Sequence, residues 1–506
     1  MESKNNRLRD TPCLAVFGTG SDVGKSVVAT ALCRVFKEDG LNVAPFKAQN
    51  MSNNSGITPE GLEMGRAQIV QAEAAGIPPS VDMNPILLKP TSDIGAQVVL
   101  LGEVFKNSTA SEYHLRKKAL FSTACRALDR LKADHELVVL EGAGSCAEVN
   151  LMPHDIVNLS MAQYAGAPVI LVADIHKGGV FAQIVGTLEC LSADQKKQIA
   201  GFIINRFRGD ISLFKDGVEW IEKKTGKPVF GVLPWYDHIR IEAEDSVVIE
   251  KPEVVTRGRL RTPAIAVVRI PYISNFTDFD ALAAVKGLRL HFIEEPVNLD
   301  CFAAVIVPGS KNTRFDLNWL HETGWAPRLS DYGHSGGNVL GVCGGYQMMG
   351  RTVKDPGGLE GAPGKTRGLD LLPVETELKA PKTTTLTEFS WEGDQGGGYE
   401  IHMGETIRSG GRPFFKIISK NGVAAEGTDG CISDNGRYMG TYLHGLFDTP
   451  AITGRWLGAI GLGSLAPADD CGLPARRKEY GKLARHFRKY INMTKIKELI
   501  AGGRPG

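Results

Sequence analysis

The sequence lacks the features that mark several classes of protein. No window approaches the ~20 apolar residues that a membrane-spanning helix needs, and the N-terminal MESKNNRLRD has no apolar core of a signal peptide. Lys and Arg (58) balance Asp and Glu (57), so no basic excess indicates nucleic-acid binding. The nine Cys show neither CxxC nor Cys/His metal spacing. These absences predict a cytoplasmic protein with free thiols and without a nucleic-acid or membrane partner.

Apolar sequence, by contrast, is plentiful enough for several large cores. The 506 residues, 42% of them hydrophobic, predict two to four domains. Apolar runs alternate with helical patterns over residues 12–236 and again over 263–450. This alternation predicts an α/β protein with two doubly wound, mostly parallel open sheets. The charged stretch 237–262 is interpreted as a linker, 1–11 as a polar tail and 451–506 as a helical extension.

A glycine-rich turn, GTGSDVGKS, joins the first predicted strand to a helix. Backbone N–H groups of such a turn can surround phosphates, and the helix N-terminus adds partial positive charge. Lys25 can reach the β- and γ-phosphates of ATP, and Ser26 can ligate Mg²⁺. Five residues rather than the usual four separate Gly18 from Gly24, which leaves Thr19 at the expected first position. The turn predicts an ATP site of the P-loop type.

The longer spacing resembles that of dethiobiotin synthetase and its relatives, which phosphorylate a carboxylate. Glu141 ends the buried run LVVLE, at the sheet edge where ligands bind in such folds. The resemblance implies that Glu141 holds Mg²⁺. Asp174 similarly ends an apolar run before a glycine-rich turn. A contact to ligand and a role in capping the turn stay equally open for Asp174.

A second turn between a strand and a helix, GVCGGYQ, carries Cys343. A Cys on such an elbow is exposed at the sheet edge, and the helix N-terminus favours its thiolate. The backbone N–H of Gly344 could stabilise an oxyanion, and Gly309, which follows another strand, could supply a second donor. His444, far downstream in GTYLHGLF, is the candidate base. An inert core Cys is the alternative, which the flanking glycines and the downstream His disfavour.

The second half therefore resembles the class I glutamine amidotransferases, whose glutaminase domain is flavodoxin-like. The resemblance implies that Cys343 attacks the side-chain amide of L-glutamine and that Gln347 contacts this substrate. Many members carry His-Pro-Glu, in which Glu orients the His, but this chain has Gly445 and Leu446 after His444. What orients His444 stays open: Asp448 is a candidate, and a plain loop carboxylate is the alternative.

Longer segments resemble the cobyric acid synthases, and they occur in the same order. The resemblance covers residues 12–450 approximately and implies amidation of the b, d, e and g carboxylates of adenosylcobyrinic acid a,c-diamide. ATP would activate each carboxylate as an acyl phosphate and glutamine would supply each nitrogen. Lys47 would lie on the crevice side of the sheet, where it could pair with a carboxylate or phosphate. The matching segments are PFKAQNMSNNS (45–55), NPILLKP (84–90), GYEIHMGET (398–406) and GTYLHGLF (440–447).

Two other interpretations stay open. The cobyrinic acid a,c-diamide synthases share the same two domains, although PFKAQNMSNNS disfavours them. A partitioning-type ATPase fused to a degenerate glutaminase-like domain would be non-catalytic, but it would have no use for an intact Cys343 and His444. The sequence also leaves open whether His402 is a second base or a structural residue. Transfer of ammonia through a passage or through solvent, and assembly into a homo-oligomer, are equally undecided.

Overall fold

The computed structural model describes residues 11–92, 95–236, 239, 241–242, 262–468 and 470–502. Most of the predicted linker 237–262 and nearly all of the predicted tail 1–11 lie outside the described residues. We refer to the described residues up to 242 as the first domain and to residues 262–459 as the second domain. Among the helices that the structure describes, none is long and apolar enough to cross a membrane.

A six-stranded parallel sheet, in the order β12-β11-β10-β1-β9-β2, forms the centre of the first domain. Alternate side chains of its strands enter two different buried clusters: Ala15 and Phe17 pack into one, Leu14 and Val16 into the other. Apolar residues therefore fill both faces, as a sheet covered by helices on both sides requires. The strands are β1 (Cys13–Gly18), β2 (Val43–Phe46), β3 (Gln49–Met51), β4 (Ser55–Ile57), β5 (Glu63–Gly65), β6 (Ile86–Ser92), β7 (Gly95–Leu100), β8 (Glu103–Thr109), β9 (Leu137–Glu141), β10 (Val169–Asp174), β11 (Ile199–Phe207) and β12 (Val229–Pro234).

The second domain repeats this plan with the strand order β15-β13-β16-β18-β28-β27, in which only β27 is antiparallel to its neighbour. Ala264 and Ala266 face one buried cluster, whereas Ile265 and Val267 face the other. The strands are β13 (Ala264–Val268), β14 (Ile273–Ser274), β15 (Arg289–Ile293), β16 (Ala304–Val307), β17 (Gly309–Ser310), β18 (Val339–Val342), β19 (Thr352–Asp355), β20 (Gly364–Arg367), β21 (Val374–Glu377), β22 (Thr383–Trp391), β23 (Asp394–His402), β24 (Glu405–Arg408), β25 (Phe415–Lys420), β26 (Val423–Asp429), β27 (Cys431–Ile432), β28 (Tyr438–Thr441) and β29 (Leu443–His444).

Each domain also carries smaller sheets that the sequence did not predict. In the first domain, β3-β6-β7-β8 form a mixed sheet of four strands and β4-β5 a pair. In the second domain, β26-β25-β22-β23-β29 form an antiparallel sheet, and β20-β19-β21-β24 form a mixed sheet in which β19 and β21 are parallel. The stretch 379–398 contributes most of the long hairpin β22–β23. This hairpin matters for function because its end pairs with the strand that carries His444.

Helices cover the sheets, and the last two of them return to the first domain. Leu483 and Phe487 pack in the same buried cluster as Val28 and Leu32. The helices are α1 (Lys25–Glu38), α2 (Arg66–Ala75), α3 (Ala110–Asp134), α4 (Leu159–Ala165), α5 (Val180–Cys190), α6 (Ala193–Gln198), α7 (Lys215–Thr225), α8 (Asp280–Ala283), α9 (Thr313–Glu322), α10 (Trp325–His334), α11 (Gly344–Met348), α12 (Pro450–Ala459), α13 (Gly472–Tyr490) and α14 (Met493–Ala501).

Polar contacts join the two domains near the middle of the molecule. The Ser55 backbone N–H donates to Asn275 Oδ1 at 3.0 Å, and Lys382 Nζ lies 2.6 Å from Glu63 Oε2. Both Ser55 and Glu63 belong to short strands of the first domain. The strand pair β4-β5 is therefore in direct contact with the elements that surround Cys343, as described below.

Candidate active sites

The turn at Cys343 has a strained backbone that only a tight strand-to-helix elbow produces. Cys343 follows β18 directly, with φ 52° and ψ −110°, and its backbone N–H donates to Thr441 O at 2.8 Å. A Cβ at Gly345 would lie 1.9 Å from Val307 O, so only glycine fits there. Positive φ at a non-glycine residue is costly and is found mainly where function requires it. This is the geometry of a nucleophile elbow.

His444 lies in β29 and is held beside Cys343 by a buried carboxylate. Its Nδ1–H donates to Asp278 Oδ2 at 2.6 Å, and the Gly445 N–H donates to Asp278 Oδ1 at 3.1 Å. The ring of Tyr399 stacks on the imidazole at 5.2 Å between centroids. Burial lowers the pKa of His444, but Asp278 and the Cys343 side chain outweigh it and raise that pKa to about 10. The imidazole is therefore protonated at neutral pH and can act as an acid.

Asp278 is the carboxylate that orients His444. The prediction that Asp448 has this role is wrong. Asp448 Oδ2 instead accepts from Arg476 Nη1 at 2.9 Å. Asp278 was missed because it lies 166 positions before His444 in the chain and belongs to no motif that the sequence displays. The Glu of the common His-Pro-Glu motif is replaced here by a carboxylate from a different element. The result is a Cys–His–Asp arrangement of nucleophile, base and orienting acid.

A cavity opens beside Cys343 and is lined by Gly344 and Gln347. Gln347 Nε2 donates to Met403 O at 2.9 Å and to Tyr442 Oη at 3.1 Å, which fixes the orientation of its amide. Gly309 lies close to the same centre, because a Cβ built there would be 3.4 Å from His444 Cε1. The structure thus brings the five residues predicted for the second domain into one site. The oxyanion role of Gly309 and Gly344 stays a prediction.

His402 also lines this cavity, and its surroundings favour a structural role. Its ring stacks on Tyr442 at 3.6 Å, and its Nε2 lies 3.4 Å from Glu400 Oε2. Burial lowers the pKa of His402, although Glu400 opposes this effect. A neutral imidazole stacked on an aromatic ring and held by a carboxylate is typical of a packed residue.

The phosphate-binding turn lies between β1 and α1, at the carboxyl edge of the first parallel sheet. Gly24 has φ 94°, and a Cβ there would lie 2.1 Å from Asn205 Nδ2. A cavity of about 640 Å³ opens beside the turn and is lined by Lys25, Ser26 and Lys47. This volume is in the range of small-molecule sites in proteins, roughly 300–1,000 Å³.

The charged groups of this site form hydrogen bonds and ion pairs within the protein. Glu141 Oε1 lies 2.7 Å from Ser26 Oγ and 3.0 Å from Lys47 Nζ. Gln71 Nε2 donates to Glu141 Oε2 at 2.5 Å. Lys25 Nζ donates to Gly20 O at 2.8 Å and to Gly144 O at 2.9 Å. The structure therefore brings together Lys25, Ser26, Lys47 and Glu141 as the sequence indicated.

Ser26 and Glu141 fit the Mg²⁺ that the P-loop resemblance implies. Their oxygen atoms are adjacent, and hydroxyl and carboxylate oxygens are ligands that Mg²⁺ prefers. Among the described residues, no group of three or more His, Cys, Asp or Glu side chains could hold a metal ion.

Thr19 and Asp174 lie at the margin of this site. Thr19 Oγ1 donates to Gln183 Oε1 at 3.3 Å on the exposed side of the turn. Asp174 accepts from the His176 N–H at 2.7 Å and from Arg206 Nη1 at 2.9 Å. These bonds favour the turn-capping role for Asp174. Arg206 also lines the cavity, and the sequence did not indicate it. Its backbone φ is 60°, in the left-handed region that residues other than glycine rarely adopt.

Comparison with known proteins agrees with the two domains. Residues 14–248 match the CobQ/CobB/MinD/ParA nucleotide binding domain, and residues 264–452 match the CobB/CobQ-like glutamine amidotransferase domain. The cobyric acid synthase of Chlorobium phaeobacteroides (strain BS1) is 50% identical over 97% of this chain and 99% of its own length. Those of Klebsiella pneumoniae and Chlorobaculum tepidum are 48% and 46% identical, over 95% and 96% of this chain and 96% and 97% of their own lengths.

This chain belongs to the cobyric acid synthase family. Family membership confirms the resemblance that the segments 45–55, 84–90, 398–406 and 440–447 indicated. The two family matches and the two parallel sheets confirm the predicted pair of α/β domains. The curated cobyric acid synthases named above match this chain nearly from end to end.

Proposed function

We propose that this chain converts adenosylcobyrinic acid a,c-diamide to adenosylcobyric acid by amidating its b, d, e and g carboxylates. ATP activates each carboxylate, and L-glutamine supplies each nitrogen. The observation that carries the proposal is the intact Cys343–His444–Asp278 arrangement in a chain whose other domain holds a phosphate-binding turn. A binding protein with a degenerate glutaminase domain would have no reason to keep a strained Cys343 and a buried ion pair beside it.

In the glutaminase half, the Cys343 thiolate attacks the side-chain amide carbon of glutamine. The oxyanion that forms would be stabilised by backbone N–H groups, for which Gly344 and Gly309 are our candidates. His444, protonated because Asp278 raises its pKa, gives its proton to the leaving nitrogen, and ammonia departs. The neutral imidazole then takes a proton from water, which attacks the thioester. Glutamate leaves, and the thiolate and imidazolium are restored.

In the synthetase half, a corrin carboxylate oxygen attacks the γ-phosphorus of ATP, and ADP leaves. Lys25 and the backbone of the turn bind the phosphates. Ser26 and Glu141 would hold Mg²⁺, which neutralises charge on the transferring phosphoryl group. Ammonia then attacks the acyl phosphate and displaces inorganic phosphate, leaving the amide. Lys47, adjacent to Glu141 and 3% exposed, is placed to pair with the carboxylate or a phosphate when these ligands arrive.

The segment 47–55 is our candidate for contact with the corrin periphery. It begins at the ATP site with Lys47 and ends at the domain interface with Ser55. Asn50 and Met51 line the same cavity as Lys25, and Met51 is 57% exposed. Amide and apolar side chains in this position suit a large substrate that carries amides and a hydrophobic macrocycle. We also propose that residues 12–236 and 263–450 act as the synthetase and glutaminase units.

The acceptor assignment is tested by counting amides by mass after reaction with ATP, Mg²⁺ and glutamine. We expect four amides to be added to adenosylcobyrinic acid a,c-diamide, with partially amidated intermediates at early times. Addition of only two amides to cobyrinic acid, with no reaction of the a,c-diamide, would instead identify an a,c-diamide synthase. A folded protein that neither amidates a corrinoid nor hydrolyses glutamine would favour the non-catalytic ATPase.

A further inference from the structure

The cavity beside Cys343 contains more charge than glutamine hydrolysis by the Cys–His–Asp group needs. Three lysines and one glutamate line it: Lys89 from the first domain, and Lys311, Lys382 and Glu360 from the second. Lys and Glu are rarely buried unless they are paired. The partners of these side chains therefore show which of them are structural and which are available to a ligand.

Two of the lysines are ion-paired with the same buried carboxylate. Lys89 Nζ lies 2.7 Å from Glu63 Oε1 and also donates to Ser55 Oγ at 2.7 Å. Lys382 Nζ lies 2.6 Å from Glu63 Oε2. Glu63 is 1% exposed. Lys89 and Lys382 thus form the wall of the cavity at the domain interface, where both ammonium groups bond to Glu63. The single carboxylate balances one of the two positive charges, and burial lowers the pKa of Lys382 to about 7 although Glu63 opposes this.

Lys311 differs, because its ammonium makes no hydrogen bond or ion pair with any residue that the structure describes. Its backbone is fixed, since its N–H donates to Tyr272 O at 2.9 Å. Burial lowers the pKa of Lys311, and the nearby Glu360 only partly opposes this. Lys311 is half-buried in the wall of this cavity, so an anionic group of a ligand would give its ammonium a charged hydrogen-bond partner.

Glu360 is the negatively charged side chain in the lining of this cavity. Its Oε2 accepts from the Arg314 N–H at 3.2 Å, and its Oε1 lies 3.4 Å from Thr313 Oγ1. The Thr313 hydroxyl has a single proton, and Gln347 Oε1 is a nearer acceptor at 3.1 Å. The backbone N–H groups of Arg314 and Thr313 also favour the ionised form of Glu360, and its carboxylate lines the cavity. Burial raises the pKa of Glu360, with Lys311 opposing, so a cationic partner would stabilise its ionised form.

We propose that Lys311 binds the α-carboxylate, and Glu360 the α-ammonium, of substrate glutamine. The inference rests on the proposed glutaminase function of Cys343 and identifies the groups that select an α-amino acid. Only a short aliphatic chain separates the amide carbon of glutamine from its α-carbon. The α-carboxylate and α-ammonium of the substrate must consequently lie in the same cavity as Cys343. Lys311 and Glu360, which have opposite charges, line that cavity. Gln347 is held by Thr313, which contacts Glu360 as well, so the amide end and the zwitterionic end share one network.

The test compares glutaminase kinetics of Lys311→Met, Lys311→Arg and Glu360→Gln with L-glutamine and with 4-carbamoylbutanoate, which lacks the α-ammonium. Lys311→Met should raise KM for glutamine by about tenfold or more with a smaller change in kcat. Lys311→Arg, which keeps the positive charge, should raise KM less than Lys311→Met does. Glu360→Gln should reduce the preference for glutamine over 4-carbamoylbutanoate by about tenfold. Lys354→Met, which removes an exposed ion pair with Glu375 in the same domain, is the matched control and should leave both values unchanged.

Ammonia-dependent amidation reports that each variant is folded, since it does not require the glutamine cavity. An unchanged KM for glutamine in a Lys311→Met protein that still uses ammonia would overturn the proposal. So would a Glu360→Gln protein that loses activity equally with the two substrates. Failure of the proposed function looks different, because the wild-type chain would then hydrolyse no glutamine at all.

Discussion

The turn at Cys343 and the turn at Lys25 follow the same plan, in which a glycine-rich segment leads from a parallel strand into a helix. In the second domain the reacting groups are already set against each other: His444 is 2.6 Å from Asp278, and the side chain of Gln347 is fixed by hydrogen bonds. In the first domain the groups that would meet ATP are bonded to protein instead. Lys25 donates to carbonyls of the turn and of Gly144, and Glu141 accepts from Ser26, Lys47 and Gln71.

This difference indicates two ways of preparing a site. The glutaminase site is preorganised, so that glutamine enters an arrangement that needs little change. In the proposed function, the synthetase site would exchange internal hydrogen bonds for bonds to phosphate and Mg²⁺, and the binding of these ligands would drive that exchange. An enzyme that wastes neither ATP nor ammonia benefits if the ATP site is completed by its substrates. The predictions below would sharpen this comparison or break it.

The largest expected effect is the separation of the two activities by Cys343→Ala and Lys25→Met. Cys343→Ala should lose glutamine-dependent amidation by at least about 10³-fold, because it removes the nucleophile, while ammonia-dependent amidation persists. Lys25→Met should lose amidation with either nitrogen source, because the phosphates lose their cation, yet keep glutamine hydrolysis. The measurement is corrinoid amidation with glutamine or ammonium salt, together with glutamate release.

A lesser loss is expected from Asp278→Asn. Without the carboxylate, His444 loses the interaction that raises its pKa to about 10, and glutamine hydrolysis should fall by about 10²–10⁴-fold. The rate needs protonated His444 as the acid for departing ammonia, so the wild type should lose activity as pH rises through about 10. In the variant this alkaline limb should move to lower pH.

Asp448→Asn is the matched control for Asp278→Asn, since Asp448 pairs with Arg476 and not with His444. It should leave the rate of glutamine hydrolysis and the alkaline limb nearly unchanged. Equal losses in the two variants would contradict the assignment of Asp278 as the orienting acid.

Glu141→Gln should affect only the synthetase half. The amide can still accept a hydrogen bond from Ser26, but it is a poorer ligand for Mg²⁺ than a carboxylate. We expect amidation with ammonia to fall about 10–100-fold and to need more Mg²⁺, while glutamine hydrolysis is retained. A titration of amidation rate against Mg²⁺ measures this. An unchanged Mg²⁺ requirement would remove Glu141 from the proposed metal site.

Glu63→Gln should have the smallest effect on catalysis. It should, however, clearly lower the free energy of unfolding. Lys89 and Lys382 would lose their shared counter-charge, and breaking such a buried pair costs about 3–5 kcal/mol of unfolding free energy. Burial opposes ionisation of Glu63, but Lys382 and Lys89 outweigh it and hold its pKa well below its usual range. The wild type should therefore keep this stability above about pH 4.3, the unfolded pKa, and lose it as pH falls further.

Chemical denaturation measures this loss, with Glu375→Gln as the control. Glu375 pairs with Lys354 on the surface, where such pairs contribute about 0–1 kcal/mol. If the two variants had equal free energies of unfolding, the ion pairs of Glu63 with Lys89 and Lys382 would not stabilise the protein more than a surface ion pair does.

The sequence predicted what is local and missed what folding brings together. Gly24, Lys25 and Ser26 are contiguous, and the elbow of the second domain lies within the short segment Gly341–Gly344. The strand-to-helix context of both is visible in the apolar pattern. Asp278 could not be found in this way, because its link to His444 exists only once β29 packs beside the segment after β14.

The smaller sheets escaped prediction for a related reason. Strands such as β22 and β26 are largely polar or half-exposed, so their side chains show no continuous apolar run. Their identity is set by pairing with distant partners, as the pairing of Tyr399 with His444 illustrates. Likewise, the partners of Lys89 and Lys382 cannot be deduced from the sequence, since Glu63 joins them across two domains.

The central claim is that ammonia made at Cys343 is used at the ATP site of the first domain. We would react adenosylcobyrinic acid a,c-diamide with glutamine labelled with ¹⁵N in its side-chain amide and follow the product by mass. The account predicts four ¹⁵N amides for the wild type, none for Cys343→Ala with labelled glutamine, and four for Cys343→Ala with labelled ammonium. A Cys343→Ala protein that still takes nitrogen from glutamine, or that fails with ammonium although it is folded, would contradict the division of labour between the two domains.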